Sequence, residues 1–190
     1  MLAKYQQAIN QHRQRIYSFA HYSLRAAEDA EDVTQEVFIK LWQHWQKIDH
    51  SKLGAWLMRV AHNAVIDHVR KHKSVRENVD HFADVELAAD DYDASGAIDQ
   101  ERFKRYLEVA IKGLDDPFKS IIIMRDIQGL SYAEIEESLG MSESQVKVYL
   151  HRGRRKLREH SGLRKLFESI SGGRNSSAAV TETDEGSKHG

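Results

Sequence analysis

The 190-residue sequence has no cysteine and a single proline, Pro117. Without cysteine there is no disulfide framework, no thiolate metal site and no thiol nucleophile or redox sensor. With so few breakers among many Ala, Glu, Gln, Lys, Arg and Leu residues, little interrupts a helix, and an all-α fold is expected. No apolar run approaches the roughly 18 residues of a membrane span, and the N-terminus lacks a signal-peptide apolar core. These absences predict a soluble, cytoplasmic protein without membrane insertion. There is also no glycine-rich phosphate loop and no nucleophile–base constellation, so the chain does not read as an enzyme and no cofactor is expected. Of its 11 histidines, His68 and His72 have the i,i+4 spacing of a helical ligand pair. With no HExxH pattern and no third clustered ligand, no metal site is expected.

Nor does charge of one sign dominate: the formal net charge is −1. That near-neutrality is an average over a patterned chain. Residues 1–74 carry a net +4, residues 75–101 a net −8, and residues 147–165 hold eight Lys or Arg against one acid, a net +7. Clustered cations suit a phosphate-binding surface, because each contact releases condensed counterions. A solvated helix face carries the same signature, so position must decide between the two.

The length suits one domain or two small ones, and the hydrophobic periodicity favours two. Val33, Val37, Leu41, Trp45 and Ile48 recur at helical spacing, a stripe widened by Phe38 and Trp42. A second stripe follows Ser51 through Trp56/Leu57, Val60/Ala61, Ala64/Val65 and Val69, and a weaker one runs through Ile9, Ile16, Phe19 and Ala20. Three such helices bury one small core, predicting a helical domain at 1–74. Periodicity then lapses into an acidic stretch at 75–97 with Ser95-Gly96 near its end, which reads as a flexible linker, although Phe82, Val85, Leu87 and Tyr92 give it some capacity to dock.

Pattern resumes with Phe103, Leu107, Ala110, Ile111 and Leu114 in a second domain at 98–170. Asp115-Asp116-Pro117 is a cap with proline at the first turn, predicting a helix from Phe118 to Gln128. Ser131-x-x-Glu134 and Ser142-x-x-Gln145 are two capping boxes on either side of the turn Gly140-Met141. Two capped helices so joined are a helix-turn-helix. In the second, Val146, Leu150, Gly153 and Leu157 share a face expected to pack on the first. Lys147, His151, Arg154, Arg155 and Arg158 share the other, as in a helix lying in the DNA major groove. A helical hairpin in a bundle imitates this pattern. The glycine- and serine-rich tail at 171–190 reads as disordered.

These segments resemble the extracytoplasmic-function (ECF) class of bacterial RNA polymerase sigma factors. DAEDVTQEVFIKLW (29–42) and GAWLMRVAHNAVIDHVRK (54–71) are similar to that family's second conserved region, and MRDIQGLSYAEIEESLGMSESQVKVYLHRGRRKL (124–157) to its fourth. The resemblance implies a transcription initiation factor with core RNA polymerase, promoter DNA and an anti-sigma factor as partners. It implies that Asp32, Gln35 and Glu36 dock on the polymerase clamp. Arg59, Asn63, Asp67, Arg70 and Lys71, with the loop from Asp49 to Gly54, would hold the −10 non-template strand. Lys147, Val148, His151 and Arg152, with Arg154 and Arg155 of the same helix, would meet the −35 duplex. Where the family usually has Gly-Thr before the valine of this helix the chain has Ser144-Gln145, and Val148-Tyr149 replaces its usual Ser-Arg.

Overall fold

A computed structural model describes residues 2–24, 26–76, 100–160 and 163–164, with the side chains of 73–76 and 100–102 left out of account. All elements among the described residues are helical: α1 (Leu2–Ser23), α2 (Ala27–His44), α3 (Leu53–Arg76), α4 (Gln100–Lys112), α5 (Phe118–Ile122), α6 (Tyr132–Leu139) and α7 (Glu143–Glu159). α3 enters the stretch read as a linker by two residues. The remainder of that stretch, with Phe82, Val85, Leu87 and Tyr92, lies outside the described residues, as does the tail at 171–190.

The first three helices form around the predicted stripes. Val33, Val37, Leu41, Trp45 and Ile48 are buried on the α2 side, Leu57, Met58, Ala61, Ala64 and Val65 on α3, and Ile16, Phe19 and Ala20 on α1. Two members of the expected stripes leave the core. Trp42 is 46% exposed because it sits one residue round from Leu41, and its ring leans edge-on against Tyr5 at the rim, 4.9 Å between centroids. Val69 is 42% exposed on the last turns of α3. Between α2 and α3, Asp49 caps a short 3-10 turn by accepting from the Ser51 N–H and hydroxyl at 2.9 and 2.7 Å.

The region expected as one helix from Phe118 to Gln128 is a short α-helical segment passing into a π turn at Ile123–Ile127. Asp116 serves its start, accepting from the Ser120 N–H at 3.3 Å and hydroxyl at 2.7 Å. The wider turn is closed by the Gln128 N–H donating to the Ile123 carbonyl at 3.0 Å. Ile121, Ile122, Ile123 and Met124 are consecutive and all buried, so this segment is surrounded on every side. Around it pack α4, α6 and α7. α7 packs on its helix-turn-helix partner α6, as expected, and also, more extensively, on α5. Gly153 explains it: a Cβ there would stand 3.1 Å from Ile122 Cγ1 and 3.4 Å from Phe118 Cβ, so only glycine lets the helices come so close without adjustment.

Buried side chains from all seven helices form one continuous apolar cluster. α3 packs along α6, and α1 meets α4 and α5.

Both capping boxes are formed. The Ser131 N–H and hydroxyl donate to Glu134 Oε2 at 2.7 Å each while the Glu134 N–H returns to Ser131 Oγ; Ser142 and Gln145 repeat the arrangement at the start of α7. The Ser131 backbone and hydroxyl donors hold the Glu134 carboxyl below its usual range. A depressed carboxyl contributes stability that is complete above its unfolded value of 4.5 and is lost as pH falls through its lower folded value. Gln145 has no such titration. Acid should therefore loosen the start of α6 but not that of α7. Thermal unfolding from about pH 6 down to about pH 3 should show a smaller acid-dependent loss in Glu134→Gln than in the native chain. Equal losses would place the acid sensitivity elsewhere.

Candidate nucleic-acid interface

α7 is positioned by its cap, by the left-handed Gly140 (φ 66°) that ends α6, and by the Gly153 contact. With Val146, Leu150 and Gly153 buried, the opposite face carries Lys147, Val148, His151, Arg152, Arg154 and Arg155, all exposed. Their surroundings differ. Lys147 Nζ lies 2.5 Å from Glu143 Oε1, one turn earlier, and the hydrogen bond and charge of Glu143 raise its pKa, so it stays cationic. Arg155 leans toward Glu159 at 3.7 Å. Arg154 turns back across the fold: Nε and Nη2 donate to Asp126 Oδ2 and Oδ1 at 3.0 and 2.5 Å, a bidentate pair from α7 to the π turn. Arg125 beside it donates to the Leu130 carbonyl at 2.6 Å and lies over the Tyr132 ring. Arg154 thus braces the helix-turn-helix, while Lys147, Val148, His151 and Arg152 form an outward row.

The second cationic face is on α3. Asn63, Arg70 and Lys71 are exposed, and Asp67 pairs with Arg70 at 2.9 Å, one turn on. Arg59, one turn before Asn63, is engaged by α6: its guanidinium donates to the Glu137 carbonyl. Lys52 Nζ meets the Glu137 carboxylate at 2.7 Å, which raises the lysine pKa. His62 Nε2 lies 3.0 Å from Asp116 Oδ2. Burial pushes the Asp116 carboxyl up, but the hydrogen bonds from His62 and Ser120 outweigh it and hold it below its usual value. The structure therefore separates Arg59 from the rest of the predicted set.

Asp32, Gln35 and Glu36 stand together on the outer face of α2, with Glu36 paired to Lys40 at 2.6 Å. The structure adds two residues. Ile39 is 56% and Trp42 46% exposed, and they continue the same face at offsets of seven and ten from Asp32. Extending the 32/35/36 register by one turn would have found Ile39. Trp42 was hidden by its fit to the edge of the core stripe.

Residues 8–75 match the family model for Sigma-70 region 2, and residues 104–157 that for Sigma-70 region 4. The ECF RNA polymerase sigma factor SigE of Mycolicibacterium smegmatis is 30% identical over 167 residues, 84% of this chain; the match spans 62% of that protein's length. The ECF RNA polymerase sigma factor SigW of Bacillus subtilis is 30% identical over 161 residues, covering 78% of this chain and 83% of SigW. In fold, the chain is similar to the sigma factor RpoE in its co-crystal with the anti-sigma factor NepR from Bartonella quintana, with a TM-score of 0.64 at 23% identity over 82% of this chain and 95% of that one. It is similar also to CnrH in complex with the cytosolic domain of CnrY, with a TM-score of 0.62 at 21% identity over 84% and 88% of the respective chains.

The brace gives a stability prediction. Because the Arg154 side chain is 51% exposed, its pair with Asp126 is worth up to about 1 kcal/mol after solvent screening. Arg154→Ala and Asp126→Ala should each lower stability by about that much, and the double variant should lose no more than either alone, as a denaturant double-mutant cycle reads directly. Additive losses would mean that the two side chains act independently.

Proposed function

The chain belongs to the ECF class of RNA polymerase sigma factors, and from that premise we propose that it binds core RNA polymerase and directs it to promoters by reading the −10 element as a single strand and the −35 element as duplex. One observation carries the proposal: two family regions in order, the second ending in a doubly capped helix-turn-helix whose outward row is cationic.

α7 enters the major groove with its N-terminal half toward the bases. Lys147 and Arg152 present donors to guanine acceptors, His151 donates or accepts, and Val148, 47% exposed, meets a thymine methyl. Arg155 and Arg158 lie later on the helix and pass phosphates. Arg154 holds the helix to the π turn through Asp126 and so sets the angle of entry. On α3, Asn63 offers an amide to an unstacked base while Arg59, Arg70 and Lys71 neutralise phosphates. On α2 the carboxylates Asp32 and Glu36, with the neutral Gln35 between them, disfavour nucleic acid. With Ile39 and Trp42 beside them, this face has the apolar centre and polar edge of a protein contact, which we assign to the polymerase clamp. Control by an anti-sigma factor follows from the same family membership, and the fold similarity to a sigma factor bound to one is consistent with it.

Reconstitution with core polymerase and mapping of transcript start sites tests the whole reading. A chain that yields no defined starts would refute it. Within that assay, replacing Asp32, Gln35 and Glu36 together by Ala should leave melting nearly unchanged, since exposed substitutions outside an interface cost little. Affinity for core polymerase should nonetheless fall. Full competition for core by the triple variant would remove these residues from the contact.

The recognition helix makes a separable prediction. Arg152→Ala should change which −35 variants a library selection returns, at a cost of roughly 1–3 kcal/mol for the preferred base pair. Arg158→Ala should weaken all sequences alike and flatten the salt dependence by about one unit of slope. The reverse pattern would mean that α7 enters the groove from its other end.

A further inference from the structure

We propose that Tyr132 of α6 is a positioning residue for −35 reading: its ring holds the Lys147 ammonium beside the base edge and away from the phosphates. The proposal rests on the assignment of Lys147 to the −35 duplex made above. A lysine on an exposed helix face is a point charge on a flexible stem, and near DNA the phosphates compete strongly for it. A base-reading lysine therefore needs something that restricts where its ammonium goes. Groups from two helices act on Lys147. Glu143, one turn earlier on α7, holds Nζ at 2.5 Å. Tyr132, the first residue of α6, lies beneath it, with 5.5 Å from Nζ to the ring centroid. That is within the range at which the negative face of an aromatic ring attracts a cation. The charge of Glu136, one turn further along α6, adds to the pull.

The ring is itself fixed. It packs against the buried cluster, and the Arg125 guanidinium, tied to the Leu130 carbonyl at 2.6 Å, lies over it at 4.7 Å. Two cations thus share one ring, which their mutual repulsion disfavours. Each is retained by an oxygen acceptor of its own, Glu143 for Lys147 and Leu130 for Arg125. The two holds on Lys147 behave differently when DNA arrives. The Glu143 carboxylate is repelled by phosphates and occupies a donor that a guanine acceptor needs. The ring carries no net charge and leaves the donors of the ammonium to a base. Glu143 can therefore release Lys147 while Tyr132 keeps it in place. Because Tyr132 belongs to the first helix of the motif, it registers the tip of a long side chain against the body of the fold, as the backbone of α7 alone does not.

The test assembles the full chain with core polymerase and combines the −35 library selection with a salt titration. Lys147→Ala identifies the base pair that Lys147 reads. At that pair Tyr132→Leu should reduce the preference roughly 3- to 10-fold, the weight of one cation–ring contact. It should also steepen the salt dependence by about one unit of slope, because the freed ammonium moves to a phosphate. Tyr132→Phe, which keeps the ring, should match the native chain in both. Trifluorophenylalanine at the same position keeps the shape of phenylalanine but draws electron density from the ring face, and should behave as leucine does. This variant decides the matter if Tyr132→Leu does not fold. In a chain already carrying Lys147→Ala, none of these changes should alter the preference further. A uniform loss over all −35 positions would overturn the inference and leave the Lys147 assignment standing. So would native preference in both the leucine and the fluorinated chains, or a further shift in the Lys147→Ala chain. If Lys147→Ala leaves the selection unchanged, or the native holoenzyme selects nothing, the assignment itself fails and the inference with it.

Discussion

α7 must carry Lys147, Arg152, Arg154, Arg155, Lys156 and Arg158 within 17 residues and still stay attached to a protein. It does so through a narrow strip in which Val146, Leu150 and Gly153 are buried. Gly153 is the decisive member, because it brings α7 close enough for Ile122 and Phe118 to fill the space a side chain would take. The short anchoring edge leaves most of the helix circumference outside, and the cations have nowhere else to go. The cationic row is thus the geometrical complement of the anchoring strip. Its axial position is fixed at the start by the Ser142–Gln145 box and further along by the Arg154–Asp126 pair.

Features confined to one turn of chain were legible in the sequence. A capping box needs only residues three apart, so Ser131/Glu134 and Ser142/Gln145 appear in the structure as the spacing predicts. The stripes on α1, α2 and α3 were legible because each summed evidence over several turns. Features decided by a distant partner were not. Trp42 fits the α2 stripe, but Tyr5, 37 positions earlier, holds its ring at the rim. Arg154 fits the cationic row, but Asp126, separated by 28 positions, draws its guanidinium back onto the π turn. The π turn escaped notice because four consecutive apolar residues specify burial on all sides and say nothing of how the helix is wound. The contact of α6 with α3 left no local signature: Glu137 and Lys52 each look like ordinary surface charges until the chain folds.

The two cationic faces are balanced differently. On α7, Lys147 and Arg155 have acids on their own helix, Glu143 and Glu159, at distances one rotamer change can alter. Such exposed i,i+4 pairs contribute little and yield readily to a phosphate. At the start of α3, Lys52 of the preceding turn and Arg59 of the helix are both met by Glu137 of the other lobe, on α6. The first kind of pairing keeps cations ordered without removing them from use. The second ties their availability to the arrangement of the lobes.

The stripes of α2 and α3 face a common core, so their outer faces point away from each other. The chemistry of those faces is opposite as well. α2 shows Asp32, Gln35 and Glu36 around Ile39 and Trp42, whereas α3 shows Asn63, Arg70 and Lys71. Under the assignment proposed here, one small lobe grips a protein on one side and a nucleic-acid strand on the other, with neither excluding the other. Of these two outer faces it is the α3 side that α6 packs along, while Asp32, Gln35, Glu36, Ile39 and Trp42 on α2 stay exposed. Under the same assignment, the α2 face is exposed with the lobes packed as they are and is available to a protein partner without rearrangement. The two outer faces differ in chemistry because they lie on opposite sides of one core, so neither set of side chains competes with the other for a partner.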